Sequence, residues 1–256
     1  MGMSVRRAPR QHIGLGLIAA LALAGCGGED RPERAGTVEE SSGGASESSQ
    51  TSESSNSSEV EIDAAGRKLD DKEAEAALPD VSSLPTGWSV DTETSDDTDD
   101  ESEGKVEPAK CEALLDGVSE SWDEEPIGEA EKSYEAGQMG PFMEVGISSY
   151  DEEYPDDAFG KFLKAFESCP EFTSVEDGES TTFKVSSMSF PNLGEETAAL
   201  RMAAESEGFP IQVDLVVIRA GHNVISLAHS SLGGDSESSS VMEETATKVV
   251  QALENG

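Results

Sequence analysis

The chain has 256 residues, with 54 aspartates and glutamates against 17 lysines and arginines, a formal net charge of -37 and 35% hydrophobic residues. So acidic a surface repels phosphate backbones, which excludes nucleic-acid binding and leaves cations and cationic partners as the electrostatically favoured ligands. Its plainest meaning is solubility in a salty or extracellular medium.

Arg6, Arg7 and Arg10 precede an apolar run from Ile13 to Ala24, and small residues lead to Cys26. This is the layout of a secretory signal peptide, expected over residues 1–25. The run is about 12 residues, too short for a bilayer core that needs ~20. Leu23-Ala24-Gly25-Cys26 resembles the bacterial lipobox. The resemblance implies cleavage before Cys26 and a diacylglyceryl thioether, with palmitate-class acyl chains, on its sulfur. Two acyl chains anchor stably where one does not, so the bilayer is a partner through Cys26. The expected location is the extracytoplasmic face of the cell membrane. The signal holds three arginines and no acids, so the mature chain carries -37 - 3 = -40.

Residues 26–60 read as an acidic, serine-rich tether; Ser41 to Glu59 contains nothing more apolar than alanine. Such a coil of about 33 residues has a reach of roughly 30 Å. The domain proper is expected over 61–256. Arg67 to Leu78 has helical composition and ends at Pro79. Leu84-Pro85-Thr86-Gly87-Trp88 is a turn into an extended piece. Residues 91–104 hold eight acids and no base, which predicts a disordered loop without the spacing of an EF-hand.

Pro108 to Val118 reads as a helix with Cys111, Leu114, Leu115 and Val118 on one face. Glu129 to Ala136 and Phe142 to Tyr150 read as paired strands. Pro155 to Cys169 reads as a helix lined by Phe159, Phe162, Leu163, Phe166 and Cys169, with Pro170 beyond its end. Three further strands follow. Thr181 to Phe190 places Phe183, Val185 and Ser187 on one face. Glu196 to Ala204 places Ala198, Leu200 and Met202 together. Ile211 to Arg219 is apolar on both parities, the mark of a strand covered on both sides. The turn Ala220-Gly221-His222-Asn223 leads to Val224–His229, and Gly233-Gly234 breaks that strand. A last helix to Leu253 starts at a capping box, Ser240 with Glu243, and buries Met242, Ala246, Val249, Val250 and Leu253.

With Cys26 assigned to lipid, Cys111 and Cys169 remain as an even pair in an exported chain, hence one disulfide joining two helices on the same sheet face. The order is α, α, β, β, α, β, β, β, β, α, with tight turns between successive strands. The fold class is α+β, a mainly antiparallel sheet packed by helices.

Several stretches taken in order resemble the PknH-like extracellular sensor domain, over roughly residues 68–254. They are Leu84-Pro85-Thr86-Gly87-Trp88, Cys111 in a helix, Cys169 after an aromatic helix, Phe190-Pro191-Asn192-Leu193-Gly194-Glu195, Ala199-Leu200-Arg201, and Val216 to Ile225. The resemblance implies a ligand-sensing domain with a cleft between sheet and helices and no catalysis. Two features depart from it: one disulfide instead of two, and Glu195 where aspartate is expected.

The residues themselves offer no G-x-S-x-G elbow, H-E-x-x-H, Walker loop or G-x-G-x-x-G, so no enzyme activity, cofactor or metal site is expected. His222 reads as a turn residue and His229 as a structural histidine. Trp88, Trp122, Phe142, Tyr150 and Tyr154 are core aromatics by default. If a cleft exists, Trp88, Trp122, Tyr150, Arg201 and Arg219 are its candidate lining, with the two arginines read first as partners of carboxylates. The leading function is a non-catalytic ligand-sensing or ligand-binding lipoprotein. The alternative is a structural or protein-interaction lipoprotein of the envelope, and a hydrolase ranks last.

Overall fold

In a computed structural model, the described residues are 66–92, 105–115, 122, 124–176, 179–206, 208–233 and 238–255. The expected signal peptide, Cys26, the tether and the acidic loop from 93 to 104 lie outside them. Helix α1 spans Asp71–Ala77, shorter than the expected 67–78. Asp70 accepts from the Glu73 N–H while Glu73 accepts from the Asp70 N–H, a reciprocal capping box that sets the start. Upstream, the Leu69 N–H donates to Ser149 Oγ at 2.9 Å, which ties the entering chain to the sheet instead of the helix.

The strands are β1 (Ser89–Val90), β2 (Lys105–Glu107), β3 (Gly128–Glu135), β4 (Phe142–Ser149), β5 (Glu171–Glu176), β6 (Glu179–Ser187), β7 (Glu196–Ser206), β8 (Phe209–Ala220) and β9 (Asn223–Leu232). They form one nine-stranded sheet in the order β1-β3-β4-β9-β8-β7-β6-β5-β2, antiparallel at every pairing. A 3₁₀ turn at Ala109–Cys111 runs into α2 (Glu112–Leu115); α3 spans Asp156–Ser168 and α4 Ser238–Asn255.

Three corrections to the expected elements have physical causes. The helix expected from Pro108 opens as a 3₁₀ turn and is described only to Leu115. Strands β2 and β5 were not expected. Both are short and bounded by charge, and what makes them strands is pairing with each other and with β6, not local pattern. Helix α4 begins at Ser238, two residues before the expected capping box. Ser238 is fully buried and its hydroxyl donates to Asp214 at 2.8 Å, so a tertiary bond places the first turn.

The apolar parities of β8 divide the core. Val213, Leu215 and Val217 face α3 and α2, with Phe159, Phe162, Phe172, Phe183 and Leu200. Val216 and Ile218 face α1 and α4, where Met242, Ala246, Val249 and Val250 pack on Val145, Ile147, Ile225 and Leu227. Phe172 and Phe183 sit opposite each other on β5 and β6 and stack at 5.2 Å between centroids. Cys111 and Cys169 are disulfide-bonded with their Cα atoms 5.6 Å apart, joining the start of α2 to the end of α3 on the aromatic side.

Gly194 is sterically obligatory. Gly194 has φ of +68°, and a Cβ there would lie 2.5 Å from the Arg219 carbonyl oxygen. Gly194→Ala therefore combines a left-handed backbone with a backbone clash. It is expected to cost about 2 kcal/mol or more, read as a drop in the thermal unfolding midpoint.

Candidate functional site

The segment between β4 and α3 carries the most concentrated aromatic surface. The Tyr150 N–H donates to the His222 carbonyl and the Tyr154 N–H to the Gly221 carbonyl, both at 2.9 Å. His222 Nδ1 lies 3.2 Å from the Tyr150 carbonyl. The β8–β9 turn thus fixes both tyrosines, and Trp122 completes a triad. Trp122–Tyr150, Trp122–Tyr154 and Tyr150–Tyr154 centroids are 4.9, 5.2 and 5.3 Å apart. Offset and edge contacts of this kind stabilise beyond area burial. The tyrosines are buried and Trp122 is half-buried. Burial pushes the Tyr154 hydroxyl above its ordinary range, so it stays neutral.

Arg219, at the end of β8, faces this segment. Its guanidinium meets Glu195, Glu196 at 2.9 Å and Asp156 at 3.0 Å, and it donates to the Tyr154 carbonyl at 3.4 Å. Three carboxylates converge on one cation, so this corner stays net negative. An anionic ligand finds no unopposed charge there.

Arg201 lies on the other side of the sheet. Its Nε and Nη2 donate to the two oxygens of Asp214 at 2.6 and 2.7 Å, a bidentate pair. Asp214 is fully buried and also accepts from Gln212 Nε2 at 3.0 Å and from Ser238 Oγ. The bond to Asp214 holds the Arg201 guanidinium above its ordinary pKa. His229, fully buried, is the register partner of Asp214 on β9, and Trp88 lies 6.1 Å from its ring.

The five residues named as candidate cleft lining therefore divide. Trp122, Tyr150 and Arg219 share the α3 side, whereas Trp88 and Arg201 belong to the α4 side, with the sheet between. Both arginines are paired with carboxylates. The division follows from register: Ser206 pairs with Phe209, so Arg201 meets Asp214 while Arg219 meets Glu196 on the opposite pleat. Gly208, a turn glycine between β7 and β8, was the signal that would have fixed this from sequence. Tyr154, Asp156 and Glu196 were not among the candidates. Tyr154 and Asp156 reach the site because the β8–β9 turn holds the 150–155 segment, a long-range contact with no local signature, and Glu196 because it pairs with Arg219 across β7 and β8.

An antiparallel sheet with helices on both faces and one interhelical disulfide defines an α+β domain. Its fold is that of the extracellular domain of PknH from Mycobacterium tuberculosis, to which the chain is similar at a TM-score of 0.51 and 11% identity, covering 75% of this chain and 100% of that one. A putative uncharacterized protein of Mycobacterium smegmatis, an Rv0999 ortholog, aligns at a TM-score of 0.36 and 14% identity over 74% of this chain and 97% of that one. No family model and no curated protein matches the chain. The likeness to the PknH extracellular domain is thus one of fold, as the ordered motifs implied.

Proposed function

We propose that the chain is a lipid-anchored extracytoplasmic protein whose domain, from about residue 61, senses or binds an extracellular ligand without catalysis. The observation that carries this reading is the fold shared with the extracellular domain of PknH. The lipobox-like Leu23–Cys26 and the serine-rich residues 26–60 support the anchor and tether. No described helix is long and apolar enough to cross a membrane. The surface that fits a ligand best is the half-buried Trp122, backed by the buried Tyr150 and beside the acidic corner of Arg219, which suits a cationic or amphipathic molecule.

Two measurements test it. In the full chain expressed in a lipoprotein-processing host, mass spectrometry should find acylated Cys26 as the first residue, and Cys26→Ser should move the protein from membrane to soluble fraction. A soluble Cys26 peptide carrying no lipid sinks the anchor. A thermal-shift screen with cell-wall fragments, lipids and organic cations should raise the midpoint for one class. No shift in any class turns the reading toward a structural or protein-interaction role in the envelope. The separation of the two aromatic–arginine sets by the sheet favours that second reading.

A further inference from the structure

Strands β3 and β4 pair with Glu129 opposite Ser148, Glu131 opposite Gly146 and Ser133 opposite Glu144. Met143, Val145 and Ile147 face the α4 side, so Glu144, Gly146 and Ser148 take the α3 side with their partners. Three carboxylates thus share one pleat. Glu129 and Glu131 are two residues apart on β3, and Glu144 stands on the diagonal from Glu131, about 7–8 Å away between backbones. Glu144 is half-buried, and beyond it on β9 lie Ala228 and Ser226. A Cβ on Gly146 would meet Ser226 Oγ at 2.8 Å, so the pleat beside Glu144 is tightly filled.

The charges that β3, β4 and β9 bring to this pleat are of one sign. Glu135 shares this parity on β3, and Asp71 of α1 sits at the Glu129 backbone, accepting from its N–H at 3.1 Å. The Ser148 hydroxyl donates to Glu129 at 3.3 Å. Lys132 and His229 have the opposite parity, so β3, β4 and β9 bring no base to this pleat. Helix α3, on the same side, carries Lys161 and Lys164 with Asp156, Asp157 and Glu167. Partial burial disfavours a charged carboxylate, and neighbouring carboxylates disfavour it again. With no cation in the row, holding a proton is the way for the most enclosed of the three to relieve both.

We infer that this carboxylate row is a proton-responsive element of the domain, in which ionisation of Glu144 weakens the β3–β4 part of the sheet. Burial first and Glu131 second push Glu144 up to about 7. Burial raises Glu129 and Glu131 as well, with Asp71 and Glu129 adding to it respectively. A carboxyl whose folded pKa lies above its unfolded value contributes stability below the unfolded value, here 4.5, and loses it as pH rises toward about 7. The three groups titrate as a coupled set. The inference does not rest on the ligand-binding reading, because its ligand is the proton and its readout is the fold.

The test is urea unfolding of the domain between about pH 5 and about pH 7, comparing the parent with Glu144→Gln and with Glu152→Gln, an exposed acid. The parent's folding constant should fall on the order of tenfold more than that of Glu144→Gln over this range, with Glu152→Gln tracking the parent. Equal pH dependence in the parent and Glu144→Gln overturns the inference, as does a Glu152→Gln profile that flattens equally, since general acidic repulsion would then account for it. Carbon-detected titration of the Glu144 carboxyl in the parent decides independently should the variant not fold. A midpoint above about 6 supports the element, and one below about 5 removes it.

Discussion

Replacing Cys111 and Cys169 together by alanine is expected to lower the free energy of unfolding by about 4 kcal/mol. The bridge closes a loop with a sequence separation of 58, and freeing it returns that closure entropy to the unfolded chain. The position of the bridge adds a topological reason. The enclosed chain contains β3, β4 and α3, and α3 carries the path from β4 to β5, strands separated in the sheet by β9, β8, β7 and β6. Such a crossover brings together parts of the sheet that no hairpin connects. Both sulfurs are completely buried beside Phe159 and Phe162, so the alanines also lose packing. Urea denaturation of the oxidised parent against the double variant at fixed pH measures the difference. A loss under about 1 kcal/mol would mean that the crossover is held by its aromatic packing alone.

Arg201→Met is expected to destabilise by about 3 kcal/mol, through what it leaves behind and not through the contact it removes. Asp214 is fully enclosed, and without the guanidinium its charge loses its bidentate cation while the donors Gln212 and Ser238 remain. The cost should shrink when Asp214→Leu is added, because no uncompensated charge then remains; Gln212 and Ser238 lose their acceptor, so recovery is partial. A double-mutant cycle by chemical denaturation at fixed pH reads the coupling between the two residues. Full additivity of the two substitutions would sink the argument.

Strong periodicity made most of the fold readable. The five buried positions of α4 and the both-parity apolar run of β8 are patterns that burial on a helix face and inside a two-sided sheet impose directly. The disulfide followed from counting once Cys26 was assigned to lipid. Elements held by distant partners were not readable. β5 alternates weakly and becomes a strand between β6 and β2, and Ser238 enters α4 because Asp214 is beneath it. The candidate lining failed as a single wall for a related reason. Residue type selects aromatics and arginines, but the face each one occupies depends on register, and one turn residue more or less exchanges every parity. Trp88 and Arg201 were drawn into the set by type and separated from it by pairing.

The sheet's two borders are its smallest parts. One is Ser89–Val90 and the other Lys105–Glu107, against inner strands as long as Phe209–Ala220. β1 pairs with β3 at Tyr134 and Glu135, and further along that strand the Glu129 N–H is taken by Asp71 of α1. Little backbone is therefore offered for another chain to pair with, and what β2 offers is flanked by Lys105 and Glu107. Such borders oppose strand-to-strand fusion between two domains that meet, so crowding leaves each a separate molecule.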